Sequence, residues 1–153
     1  MNRILSYFAL ALVIVALPMW AQDNCQKVGG VLMTDINAIA GQTNLGPVFG
    51  DLAGSVAASV VGTDSNGNFL IQHYWVTSTG ETIKFQQATL YPVYLDNSHL
   101  RVAVPWGHYR SWIVKGGTGK YVNATGYLDY FGMADFNADK LTLVLRYRGR
   151  ICY

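Results

Sequence analysis

The chain has 153 residues, of which 51% are hydrophobic and 13% are charged, with 11 Lys and Arg against 9 Asp and Glu. A net charge of +2 is too small for the basic surface that nucleic-acid binding requires, so nucleic acid is not an expected partner. The many aromatic and β-branched residues likewise argue against intrinsic disorder.

The first segment, residues 1–21, has the pattern of a secretory signal peptide. Arg3 gives a short basic start, an apolar run follows, and a small residue, Ala21, ends the segment. Cleavage between Ala21 and Gln22 is expected to leave 22–153 as a single domain that is secreted or periplasmic. The alternative is a membrane anchor, but a spanning helix needs about 20 apolar residues and this run is shorter. After cleavage we expect no membrane association.

The two cysteines, Cys25 and Cys152, lie at opposite ends of the predicted domain. In an oxidising compartment such a pair favours a disulfide, which here would close nearly the whole chain into one loop. The alternative is two buried, unpaired thiols. Neither the cysteines nor the scattered histidines have the close spacing of metal ligands, so we expect no metal and no other cofactor.

Turn signals recur from residue 64 onward and separate short segments rich in β-branched and aromatic residues. The clearest is Asn66-Gly67, a hairpin signal. This spacing, without a long helical pattern, predicts an all-β sandwich or barrel of about eight antiparallel strands. The expected strands are 28–34, 53–63, 69–76, 81–90, 100–104, 109–114, 126–131 and 141–153. A disulfide between the first and last of them favours closure, because those strands can be neighbours in a barrel.

Two of these strands alternate visibly. From 141 to 153, apolar side chains share one face and arginines the other, which is typical of a strand with one buried and one solvated face. We interpret the arginines as solvated surface rather than as a binding patch. In 69–76, His73 and Trp75 share a face, but both faces are largely apolar, so this strand is expected to be covered on both sides.

Several motifs resemble those of the dirigent proteins and their relatives, the allene oxide cyclases. The run GGTGKY at 116–121, followed by ATGY at 124–127, is similar to their glycine-rich connection, in which glycines permit positive φ and the aromatic residue plugs the barrel end. The run DIN at 35–37 is similar to the Glu-Ile-Asn of their first strand. Cys25 and Cys152 are placed like the terminal disulfide of dirigent proteins.

The resemblance implies an antiparallel β-barrel of the calycin type that binds a small hydrophobic molecule. If the protein is an enzyme, the resemblance implies a cyclisation, isomerisation or coupling reaction, steered mainly by holding the reactant in shape and excluding water. The alternative is a non-catalytic secreted or envelope barrel with a filled core. A lipocalin is a third reading, but the Gly-x-Trp start of that family is missing. By analogy with members of these families, the protein could also form a homo-oligomer.

Asp35 and Asn37 are the candidate catalytic residues. An acid in an apolar strand has a desolvation cost unless it has a partner, and the matching acid of the related families lies in the barrel. The alternative is that Asp35 ends its strand and caps the following turn. The candidate ligand-binding residues, all on strands of the expected barrel, are His73, Trp75, Tyr127 and Asp129. The residues expected to be structural are Gly116, Gly117, Gly119 and the two cysteines.

Overall fold

The structure, a computed structural model, describes residues 24–39, 43–137 and 141–153. They form an all-β antiparallel fold of 11 strands, with a turn of 3-10 helix at Gly119–Tyr121. The predicted signal peptide and its cleavage site lie outside the described residues. Within the described part of the chain, no helix is long and apolar enough to cross a membrane.

The strands follow one another with short connections. In chain order they are β1 (Cys25–Ile39), β2 (Thr43–Gly50), β3 (Gly54–Thr63), β4 (Phe69–Thr77), β5 (Thr82–Lys84), β6 (Ala88–Leu90), β7 (Val93–Tyr94), β8 (Arg101–Val104), β9 (Arg110–Ile113), β10 (Thr125–Asp135) and β11 (Thr142–Cys152). The ladders run in the order β5-β4-β3-β2-β1-β11-β10-β8-β7, with β6 also paired to β4 and β9 to β10. This path of ladders is open, so the expected barrel of about eight strands is not confirmed, whereas the all-β antiparallel class is.

Strand β2 departs from the sequence prediction, which gives no strand at 43–50. Gly46 and Pro47 lie in its middle, and both residue types are depleted in strands. Gly46 has a packing reason to be there, since a Cβ at this position would lie 2.0 Å from the carbonyl oxygen of Met33 on β1. The predicted strand 81–90 is interrupted and forms β5 and β6, both of which pair with β4.

The first and last strands are neighbours, as predicted. β1 and β11 pair from Cys25 opposite Cys152 to Asp35 opposite Thr142, and the disulfide between the two cysteines is present. The disulfide is compatible with a secreted protein. Because β1 and β11 lie in the middle of the strand order, their pairing does not itself close the sheet.

Alternation along the strands determines what is buried. On β11, Leu145, Tyr147 and Ile151 are buried while the arginines between them are exposed, which confirms the predicted period of two. On β4, His73 and Trp75 are buried, but Tyr74 on the opposite face is 59% exposed. The expectation that β4 is covered on both sides is therefore wrong, because no second layer packs on its outer face in the described residues.

The end of the interior that contains the disulfide is filled by large aromatic side chains. Trp75 and Tyr147 meet edge to face with ring centroids 5.6 Å apart, and both are almost fully buried. The indole N–H of Trp75 donates to the carbonyl of Leu52 at 3.0 Å, and the hydroxyl of Tyr147 accepts from the N–H of Leu52 at 3.1 Å. Aromatic rings of this size contribute most of the apolar area in such a core.

The glycine-rich connection closes the same end. Gly116 and Gly119 have φ of +109° and +56°, the left-handed region that glycine adopts without cost. Gly117 is required for another reason, since a Cβ there would lie 2.4 Å from the carbonyl oxygen of Thr82. Tyr121 follows and is 2% exposed within the core. At all three glycine positions a residue with a side chain would be strained or would clash.

Candidate functional site

A pocket of about 290 Å³ lies at the opposite end of the interior, beside the Ile39 end of β1. Most of the residues that line it are apolar. They are Ile36, Ala58, Val60, Phe69, Ile71, Leu90, Val102, Val104, Ala134, Phe136 and Leu143. The polar lining consists of Asn37, Asn44 and Tyr109, and no charged side chain lines the pocket among the residues that the structure describes.

The pocket exists because small side chains occupy inward positions at this end. Ala58 on β3 and Ala134 on β10 both line it. The β3 sequence, GSVAASVVGT, is rich in small residues throughout, unlike the aromatic strands that fill the other end. Side chains of this size do not reach across the interior, so a space remains at this end, whereas the disulfide end is packed solid.

Tyr109 forms part of the pocket wall and connects it to a buried histidine. Its hydroxyl shares a hydrogen bond of 2.6 Å with Nε2 of His73. His73 is 4% exposed and lies against the rings of Phe85 and Tyr130, with centroids 5.5 and 5.8 Å away. Burial lowers the pKa of His73 to about 4, so its ring is neutral near pH 7. Burial, and then the neighbouring Tyr130, raise the pKa of Tyr109 well above its ordinary value.

A second buried hydrogen bond lies next to the His73–Tyr109 pair. The hydroxyls of Tyr130 and Ser111 lie 2.8 Å apart, and both residues are completely buried. The ring centroid of Tyr130 is 4.6 Å from that of Tyr109. Burial raises the pKa of Tyr130. Neither Tyr130 nor Ser111 lines the pocket, so their contribution is to fix the position of the His73–Tyr109 pair.

Asn37 and Asn44 lie together at the pocket wall. The backbone N–H of Asn37 donates to Oδ1 of Asn44 at 3.1 Å, and Asn37 has φ of +55°, which asparagine tolerates better than most residues. The β1–β2 register shifts between Asp35 and Ile39, so strict alternation is broken here. This irregularity explains how Asn37 comes to line the pocket.

Asp35 does not lie where the sequence placed it. Its neighbours Thr34 and Ile36 are 1% and 9% exposed and face the interior, whereas Asp35 is exposed on the outer face of β1. The expectation that Asp35 lies inside the fold is therefore wrong. An exposed carboxylate keeps its water and has no desolvation cost to offset. Asp35 also does not end its strand, which continues to Ile39.

The candidate ligand-binding residues of β4, His73 and Trp75, lie deeper in the interior than the pocket and do not form its wall. Trp75 is 1% exposed in the packed end and does not line the pocket. His73 lies one inward position deeper than Ile71, which does line the pocket. The contact of His73 with the pocket is through the hydroxyl of Tyr109.

Tyr127 and Asp129 lie on the outer face of β10, because Leu128 and Tyr130 occupy the inward positions. The carboxylate of Asp129 accepts two hydrogen bonds from the guanidinium of Arg110, at 2.7 and 2.8 Å. That guanidinium lies 4.3 Å from the ring centroid of Tyr127, a cation–π contact. The hydrogen bond to Asp129 is the main cause that raises the pKa of Arg110. Neither Tyr127 nor Asp129 reaches the pocket.

Sequence reasoning did not select Tyr109 or Asn44. The signal for Tyr109 was available in strand alternation, because Tyr109, Ser111 and Ile113 share one face while Arg110 occupies the other. Because an arginine indicates the solvent-exposed face, the opposite face, which carries the hydroxyls of Tyr109 and Ser111, is expected to be buried. The signal for Asn44 was absent, since β2 itself was not predicted.

The arrangement offers apolar surface with three hydrogen-bonding side chains, all uncharged. In residues 24–39, 43–137 and 141–153, no group of three His, Cys, Asp or Glu side chains is placed to hold a metal ion. The geometry thus provides a means of holding and orienting a molecule, and its one buried acid–base pair is His73 with Tyr109.

No protein-family model matches the chain, and no curated protein matches it. Among solved structures, the chain is similar to a pterocarpan synthase dirigent protein, with 14% sequence identity and a TM-score of 0.35 over 97% of this chain and 99% of that one. Membership of the dirigent family stays a prediction.

Proposed function

We propose that this protein binds a small, mainly apolar molecule in the pocket between β1, β3, β4 and β8. The observation that carries the proposal is a space of about 290 Å³ with apolar walls, which is near the lower limit of known ligand sites. Unfilled apolar volume is destabilising, so a molecule that fills such a space would stabilise the fold. The alternative of a completely filled core does not fit this end of the interior.

The volume restricts the size of the molecule. An apolar cavity of about 150 Å³ is known to hold benzene. By simple scaling, a pocket of about twice that volume accepts roughly ten to twelve non-hydrogen atoms, which is the size of two fused six-membered rings. Charged molecules fit poorly, because the described lining carries no opposite charge for them.

We further propose that the sheet acts as a barrel around this pocket. Two single bridges, Phe85 with Ile113 and Leu90 with Tyr109, connect the β5–β6 side of the sheet to β9. Backbone hydrogen bonds such as that from Gln86 to Trp112, at 2.9 Å, support the same connection. A wall on all sides would exclude water from a bound molecule and hold its shape, which are the conditions for steering a cyclisation or coupling reaction. The same proposal includes that the protein is exported from the cell interior.

Tetralin, a neutral hydrocarbon with two fused rings, is a suitable probe for calorimetric titration of the purified protein. The test variant is Ala58→Phe, which places a phenyl ring in the pocket. The matched control is Ala57→Phe, at the next position of β3, where the cross-strand neighbours Leu45 and Tyr74 are both exposed on the outer face.

We expect tetralin to bind the native protein and Ala57→Phe alike, and to bind Ala58→Phe roughly tenfold more weakly or not at all, a difference of about 1.4 kcal/mol or more. Bound tetralin should also raise the melting temperature of the first two proteins, since a ligand of the folded state stabilises it by mass action. Equal binding to both variants would reject the pocket as the binding site, and binding of neither tetralin nor its ketone analogue 1-tetralone by the native protein would reject the proposed function.

A further inference from the structure

The His73–Tyr109 pair has one proton more than its own hydrogen bond uses. A neutral imidazole carries one N–H and a phenol carries one O–H, so the pair has two protons. One of them lies in the 2.6 Å bond between Nε2 of His73 and the Tyr109 hydroxyl. The second is then either on Nδ1 of His73 or on the Tyr109 oxygen. Both residues are 4% exposed, so this spare donor is buried.

The spare proton finds no acceptor on Nδ1. That atom is buried and has no hydrogen-bond partner among the described residues. The rings of Phe85 and Tyr130 lie against His73 and provide apolar surroundings. A buried N–H without an acceptor keeps its full desolvation penalty, and such groups are rare in folded proteins.

The other tautomer replaces this buried donor with a lone pair on Nδ1, which also lacks a partner in the described part of the chain, and moves the spare proton to Tyr109. With its proton on Nε2, His73 donates to the Tyr109 oxygen and leaves only a lone pair on Nδ1. The hydroxyl proton of Tyr109 is then free. Tyr109 is the member of the pair that lines the pocket, so an acceptor for this proton would have to come from a molecule in the pocket.

We propose that the pocket selects an uncharged molecule with one hydrogen-bond acceptor, a ketone or ether oxygen, which accepts from the hydroxyl of Tyr109. This inference rests on the proposed binding function and specifies its ligand class. His73 acts as a positioning residue that fixes the direction of that hydroxyl. The acceptor is uncharged because the described lining has no cation to compensate a buried carboxylate.

The experiment compares tetralin with 1-tetralone, which has the same fused rings and one added ketone oxygen. Both are titrated into the native protein, Tyr109→Phe and Tyr130→Phe. The last variant is the matched control, because it also removes one buried tyrosine hydroxyl next to His73 but at a position that does not line the pocket. Near-ultraviolet circular dichroism and tetralin binding verify that each variant is folded.

We expect Tyr109→Phe to lower the preference for 1-tetralone over tetralin roughly tenfold or more, since the ketone is then buried without a donor. Tyr130→Phe should keep the native preference. In infrared difference spectra, the ketone stretch of bound 1-tetralone should lie at lower frequency in the native protein than in Tyr109→Phe.

An unchanged preference and an unshifted ketone stretch in Tyr109→Phe overturn the assignment of Tyr109 as the donor while leaving the pocket as a binding site. If the native protein binds neither tetralin nor 1-tetralone, the proposed function fails and this inference fails with it.

Discussion

The buried histidine makes the stability of the fold sensitive to acid. Burial lowers the pKa of His73 from 6.5 to about 4 in the folded state. The unfolded chain therefore takes up a proton near pH 6.5, whereas the folded chain does so only near pH 4. Between these values the unfolded state binds more protons, so the free energy of unfolding falls as the pH is lowered.

The size of the effect follows from the two pKa values. At about 1.4 kcal/mol for each pKa unit, the difference between 6.5 and about 4 corresponds to a loss of roughly 3 kcal/mol between pH 6.5 and pH 4. Above pH 6.5 His73 is neutral in both states and adds no pH dependence. Below pH 4 it is protonated in both, and the loss is complete.

Urea denaturation at a series of pH values measures this directly. The test variant is His73→Gln, which cannot be protonated, and the matched control is the exposed His108→Gln. We expect the native protein and His108→Gln to lose about 3 kcal/mol more than His73→Gln over this pH range. Surface carboxylates with lowered pKa, such as Asp64 and Asp96, add a further loss as the pH falls below their ordinary pKa of 3.8, and all three proteins share it. The same pH dependence in His73→Gln as in the native protein would refute the reasoning.

Two further predictions concern the fold. Cys25→Ser with Cys152→Ser removes a link between residues 127 positions apart, so urea denaturation should show a loss of about 5 kcal/mol; an unchanged midpoint contradicts the entropic account. Gly149→Ala places a Cβ 1.9 Å from the carbonyl oxygen of Tyr127 and should cost about 1–3 kcal/mol. Gly62→Ala is its control, because that Cβ meets only Leu70 at 3.9 Å, and equal melting temperatures for the two variants would exclude the packing explanation.

Local patterns predicted those features that depend on neighbours in the chain. The alternation of β11 gave its buried face correctly, because a strand places successive side chains on opposite sides. The turn signal at Asn66-Gly67 gave the β3–β4 hairpin, where Gly67 has φ of +80°. Where local signals were mixed, as at Gly46 and Pro47 in β2, the prediction missed the strand.

Alternation does not say which of two faces is inside when both carry apolar residues. On β1, Met33 and Asp35 share the outer face and Thr34 and Ile36 the inner one, so neither face is uniformly polar. The choice was decided by packing against the neighbouring strands, and resemblance to a family placed Asp35 on the wrong side. The same ambiguity misassigned the outer face of β4.

By itself, the sequence determined the all-β class, the main turns and the two cysteines whose pairing the structure contains. The tertiary structure alone decided the candidate site. Tyr109 and His73 are 36 residues apart, and they meet only because the fold brings the residue before β9 against the inward face of β4. The pocket likewise depends on which side chains oppose Ala58 across the interior, and that is a property of strand order and register rather than of any segment.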